Sequence, residues 1–179
     1  MSDLESTLTF MNAALVRVTS EPSEWKWVVI ALHSVVQGCL ALALRGGDGL
    51  KTMDEKSRKA WMRYYEGLAD YPQTRLDTFP CLYDTALSEG ELLTRITLTH
   101  QKSVYSLNED RNEFIHFGNK GWSIPIEGRL IPYTRHCIQV VSTLMESKRI
   151  AFYEEGQEAR IELLVEEANL LAEDLVTKS

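Results

Sequence analysis

The sequence predicts an all-α fold: one helical bundle of about five main helices spanning residues 1–179, with a short irregular or extended excursion near residues 119–130. Two observations predict it. Apolar residues recur with a 3.6-residue period through most of the chain. A chain of 179 residues, 44% hydrophobic and 25% charged, suffices for one core but not for two independent ones.

Each element follows in order. Leu4, Leu8, Met11, Leu15 and Val18 form a narrow stripe on a first helix, stopped by Ser20-Glu21-Pro22. Ser23 is placed to cap a long second helix. Its Trp25, Val28, Val29, Leu32, Val35, Val36, Cys39, Leu40 and Ala43 keep the helical period. Residues 27–44 approach membrane-spanning length, but His33, Ser34, Gln37 and Gly38 lie in the middle, where a bilayer penalises polar groups. A central core helix is the expectation, and no membrane partner. The Gly46-Gly47-Asp48-Gly49 cluster ends this helix and lacks the Lys-Ser/Thr of a phosphate loop.

A shorter helix is expected over 53–68 and one or two turns over 81–88. Leu92, Leu93, Ile96 and Tyr105 suggest a helix from Glu91 into Arg111 and His116, ending by Gly118. Trp122-Ser123-Ile124-Pro125-Ile126 alternates and contains proline, which reads as an extended connection or edge strand. Pro132 suits the first turn of the next helix, with Ile138, Val141, Leu144 and Met145 inward. A last helix, 154–177, buries Ile161, Leu164, Val165, Ala168, Leu171 and Leu175, and its glutamates carry much of the negative charge.

Charge and cysteine content restrict function. The net charge of −7 disfavours a protein that coats nucleic acid, which must neutralise phosphates along its surface. A selective site with a local basic cleft remains open, acting slowly on generic RNA. Cys39, Cys81 and Cys137 are too far apart for zinc spacing or a disulfide framework, so neither a metal nor another cofactor is expected. Met1-Ser2-Asp3-Leu4-Glu5 is acidic and lacks the basic start and apolar run of a signal peptide, so the expected compartment is the cytoplasm. No Gly-x-Ser-x-Gly elbow or Cys–His pair supports a nucleophilic enzyme.

The densest polar and aromatic stretch runs from Asn108 to Trp122. On a helix Asn112 and His116 are four apart and share a face. Arg111 lies about 140° from His116 at the backbone, and its long side chain can swing back or reach across a dimer. An imidazole titrating near neutrality, a permanent guanidinium and an orienting amide form a workable set for metal-independent phosphodiester chemistry. The bland alternative is a capped helix end, with the histidine favoured by the helix dipole.

Arg111-Asn112-Glu113-Phe114-Ile115-His116 resembles the Arg-polar-x4–6-His motif of the HEPN superfamily (higher eukaryotes and prokaryotes nucleotide-binding), in its Arg-Asn-x3-His form. Its place at a helix end late in an all-α bundle is also similar. The resemblance implies a metal-independent endoribonuclease, as a toxin or defence effector, working as a homodimer with two motifs in one cleft. It would make Arg111 and His116 catalytic, Asn112 their support, and a small antitoxin a partner protein. The simpler Arg-x4-His and Arg-x6-His spacings recur at Arg95/His100 and Arg129/His136, but there an apolar residue follows the arginine. The alternative function is a non-catalytic HEPN-like interaction or nucleotide-binding module.

Three further groups are candidates, two of them with two readings each. His33 and Gln37 sit one turn apart on the most apolar helix, as substrate contacts in a cleft or as hydrogen-bonded core residues. Lys120 is a candidate substrate contact beside the motif. Lys51, Lys56, Arg58, Lys59 and Arg63 lie near Trp61, Tyr64 and Tyr65. They can grip phosphates and stack bases, or form an amphipathic helix that buries its aromatics. Phe117 and Trp122 are expected to pack the turn after the motif.

Overall fold

The computed structural model describes residues 3–90, 92–115 and 123–178. Their regular structure is helical: α1 (Asp3–Val18), α2 (Trp25–Leu44), α3 (Glu55–Tyr65), α4 (Phe79–Ser88), α5 (Leu98–Ile115), α6 (Ile131–Glu146) and α7 (Gln157–Lys178). The all-α bundle expected from periodicity is the observed fold.

α2 is its axis, packed against α1, α4, α5 and α6. Val28, Val29, Leu32, Val36, Cys39 and Leu40 are all fully buried. The segment Pro22–Leu44 is long and apolar enough to cross a membrane, yet the bundle's own helices cover its apolar faces. α7 closes the bundle by packing on α1 and α6. Two polar side chains sew it on: Asn12 Nδ2 donates to Leu164 O at 3.0 Å and to Glu167 Oε2 at 2.7 Å, and Arg160 Nε donates to Glu5 Oε1 at 3.0 Å. These five helices match the expected number; α4 adds a sixth against α2 and α5, and α3 stands outside.

Several boundaries differ from the sequence reading. α5 starts at Leu98, not at residue 91: Leu92 and Leu93 are buried without being helical, because a turn tucks them into the core. Residues 81–88 belong to a full helix, since Thr78 Oγ1 caps α4 by accepting from Cys81 N and Pro80 suits its first turn. Ser23 does not cap α2. It lies in a 3-10 turn, Pro22–Glu24, and its hydroxyl donates to Glu21 Oε1 at 3.2 Å. Gly46, with φ 53°, supplies the left-handed backbone that turns the chain after α2.

The described part of the excursion before α6, residues 123–130, holds no strand. Residues 123–125 are irregular, and Ile126–Leu130 forms a wide π-type turn in which Leu130 N bonds Pro125 O at 3.1 Å. Pro132 supplies the cause. It has no N–H to donate, and its ring would crowd the Gly128 carbonyl in a regular helix, so the backbone widens just upstream. The widened turn leaves Arg129 aimed at α5.

α3 departs most from expectation. Among its residues only Ser57 is buried, and Tyr64 and Tyr65 are exposed. The helix is amphipathic, as read, but nothing in the bundle covers its aromatic side.

Candidate functional site

Arg111 ends a stripe. The buried residues of α5 are His100, Val104, Leu107 and Asp110, and Arg111, four positions after Leu107, prolongs the stripe of the first three while itself half-buried. Packing alone would place an apolar residue there; the chain places a half-buried guanidinium. Arg111 Nη1 donates to Asn112 Oδ1 at 3.0 Å, and Arg111 pairs with no carboxylate among the described residues. Asn108, Arg111 and Asn112 are spaced i, i+3 and i+4, so two amides flank the guanidinium on one face.

α2 runs antiparallel to α5 and fixes this face at two levels. The Trp25 and Phe114 rings meet edge to face at 6.1 Å, pinning the last turn of α5 to the first of α2. Two turns along α2, His33 Nε2 lies 3.2 Å from Asn108 Oδ1. With Nε2–H donating, the Asn108 amide nitrogen is left to point elsewhere. The His33 ring also stacks on Phe79 of α4, centroids 4.2 Å apart.

His33 is 3% exposed. Burial pulls its pKa down to about 4; the Asn108 bond opposes that shift, and the nearby Arg111 guanidinium adds to it. The imidazole is therefore neutral near pH 7. It is a core histidine that orients Asn108, rather than a substrate contact in an open cleft. Gln37, half-buried, makes no side-chain hydrogen bond among the described residues. It lies one turn, about 6 Å, farther along α2 and away from Arg111. The structure thus places His33 in the core, bonded to Asn108, and Gln37 one turn away from that contact.

The far side of α5 has the opposite charge. Asp110, 2% exposed, receives two bonds from Arg129: Nε to Oδ2 at 2.9 Å and Nη2 to Oδ1 at 2.5 Å. Burial raises the Asp110 pKa, and the Arg129 charge works against that rise. Glu109, Asp110, Glu113, Pro125 and Arg129 border a cleft of about 500 Å³. Three carboxylates against one arginine make it a poor receptacle for phosphate.

The two other Arg–His spacings are occupied structurally. Arg95 Nη1 bonds Glu146 Oε2 at 2.8 Å, and Arg129 is held by Asp110. The Thr97 backbone N–H donates to His100 Nδ1 at 3.2 Å, leaving Nε2–H for Gln139 Oε1 at 2.7 Å. His136 Nδ1 lies 2.7 Å from Ser103 Oγ. Burial lowers the His136 pKa first, with the neighbouring His100 and Arg135 adding to the effect. Of the three arginines, Arg111 alone pairs with no carboxylate among the described residues.

His116 itself, with Phe117, Lys120 and Trp122, lies outside the described residues, so the expectations for these four stand on the sequence. Asn108 escaped sequence reasoning as a site residue, although its i, i+3, i+4 spacing with Arg111 and Asn112 was a usable signal. Among the described residues no group of three or more His, Cys, Asp or Glu side chains is placed to hold a metal ion. Comparison of the chain with protein-family models, with curated proteins and with solved structures returns no match.

Proposed function

We propose that this chain is a metal-independent endoribonuclease of HEPN type that acts as a homodimer, as a toxin or defence effector. The observation that carries the reading is Arg111: a half-buried guanidinium at an apolar register position, with an amide partner and no described carboxylate. Natural sequences break packing rules of this kind mainly where function requires it. A structural module without activity would instead tie Arg111 into several hydrogen bonds, and among the described residues it has one, to its own neighbour.

In this mechanism His116 removes the proton from a ribose 2′-hydroxyl. The freed oxygen attacks the adjacent phosphorus, the bond to the 5′-oxygen breaks, and that oxygen leaves with a proton from the second His116. The products are a 2′,3′-cyclic phosphate and a 5′-hydroxyl end. Arg111 neutralises the charge that accumulates on the non-bridging oxygens of the pentacoordinate transition state. Asn112 fixes the guanidinium, and Asn108, oriented by His33, offers a further N–H on the same face.

Homodimerisation draws support from apolar exposure at the Arg111 end of the bundle, where Ile115 is 38% and Trp27 39% exposed. The test is incubation of the purified chain with mixed RNA in EDTA. Cleavage by the wild type, lost in His116→Ala, supports the reading; equal and negligible cleavage by both at dimer-forming concentration removes it.

A further inference from the structure

α3 and the loop after it carry a contiguous cluster of outward aromatic rings. The Trp61 centroid lies 5.6 Å from that of Tyr64, 5.5 Å from Tyr65 and 5.0 Å from Tyr71. Tyr65 is 56% and Tyr71 73% exposed, and Met62 and Leu68 beside them are exposed too. The rings are held in place. Asp54 Oδ1 caps α3 by accepting from Ser57 N at 2.6 Å, Ser57 Oγ accepts from Arg75 N at 3.0 Å, and Trp61 Nε1 donates to Thr74 Oγ1 at 2.9 Å. An ordered platform of this size left in water forgoes a large burial gain, which something else must recover.

Ring geometry and charge identify the occupant. Trp61 with Tyr64, Trp61 with Tyr71, and Tyr64 with Tyr71 meet edge to face, at 86°, 76° and 81°, and the exposure of Tyr65 and Tyr71 leaves ring surface on both open to solvent. Residues 51–76 hold six Lys/Arg against four Asp/Glu, a local charge of +2 on a chain whose total is −7. Lys59 pairs with Glu55 and Lys51 with Glu89, but Lys56, Arg58, Arg63 and Arg75 form no ion pair with a described carboxylate. Arg58 is i−4 to Met62 and i−7 to Tyr65, so it borders the same face. Exposed rings beside Arg58, on the locally positive part of an acidic chain, suit bases and phosphates.

We infer that this α3 platform binds single-stranded RNA, its bases stacking on Tyr65 and Tyr71 and its phosphates meeting Arg58. The inference rests on the ribonuclease reading and narrows its substrate to unpaired strands, because paired bases cannot open onto side-chain rings. Both tyrosines are largely exposed, so replacing them leaves the core intact.

The experiment measures anisotropy of a fluorescein-labelled, mixed-sequence RNA twelve-mer in EDTA, with the full chain as His116→Ala so that the probe survives. Addition of Tyr65→Ala/Tyr71→Ala is expected to weaken binding about tenfold or more. A duplex of the same sequence should compete poorly, and Arg58→Gln should flatten the salt dependence. Binding within twofold of the parent after the tyrosine change, or equal competition by duplex, overturns the inference. So does a change in sedimenting mass without a change in RNA affinity, which would assign the surface to a second copy. Cleavage by the wild-type chain is scored separately. RNA binding without cleavage leaves the platform standing and ends the ribonuclease reading, whereas cleavage with tyrosine-independent binding ends only the platform.

Discussion

His33 Nε2 and Asn108 Oδ1, 3.2 Å apart and 75 residues apart in sequence, join the middle of the core helix α2 to the Arg111 face of α5. The bond turns a buried neutral imidazole into the support for an amide beside Arg111. Burial of the same imidazole makes the bundle's stability depend on pH.

An unfolded histidine titrates near 6.5 and His33 in the fold at about 4. The unfolded state therefore binds the extra proton first. Stability is fully present above about pH 6.5 and is lost as pH falls toward 4, by about 2–3 kcal/mol at pH 4.5. His136, also lowered, acts in the same direction. Urea unfolding of the wild type and His33→Gln near pH 7.5 and 4.5 checks this. The substitution should shrink the difference between the two pH values, and an undiminished difference would place the titration elsewhere.

Replacing Arg111 separates stability from activity. Because the residue prolongs the buried stripe of His100, Val104 and Leu107 without a carboxylate partner, Arg111→Leu should leave stability unchanged or raise it by up to about 1 kcal/mol. RNA cleavage should fall by about 10²–10³. A loss of more than about 2 kcal/mol on urea unfolding would make Arg111 a structural residue instead.

The Asp110–Arg129 pair should behave oppositely. Arg129→Ala strands a carboxylate that is 2% exposed and should cost about 2–4 kcal/mol. The double variant with Asp110→Asn should recover part of that loss, because the buried charge goes with its partner. Strict additivity of the two changes in unfolding free energy would show that the pair is not coupled.

What was legible in the sequence divides along physical lines. The apolar stripes of α1, α2, α6 and α7 declare themselves, because burial on one side imposes a local period. The π-type turn before Pro132 was not legible as such: proline announces a break, but the surrounding packing decides whether the chain extends or widens. Leu92 and Leu93 misled because burial does not require a helix. The amphipathic pattern of α3 was readable, yet a pattern records which side is apolar and not whether any element covers it. The pairing of His33 with Asn108 is a product of the antiparallel packing of α2 on α5, and no local spacing encodes it. Asn108 could have been found, since it precedes Arg111 by one turn.

The most direct measurement is cleavage of mixed RNA in EDTA by the wild type, His116→Ala and Arg111→Leu, with folding of each verified by circular dichroism. The expected result is cleavage by the wild type to fragments with 5′-hydroxyl and cyclic-phosphate ends, and a loss of about 10²-fold or more in both folded variants. Equal cleavage by all three proteins, or none by the wild type at concentrations where it is dimeric, would contradict an active centre built on Arg111 and His116.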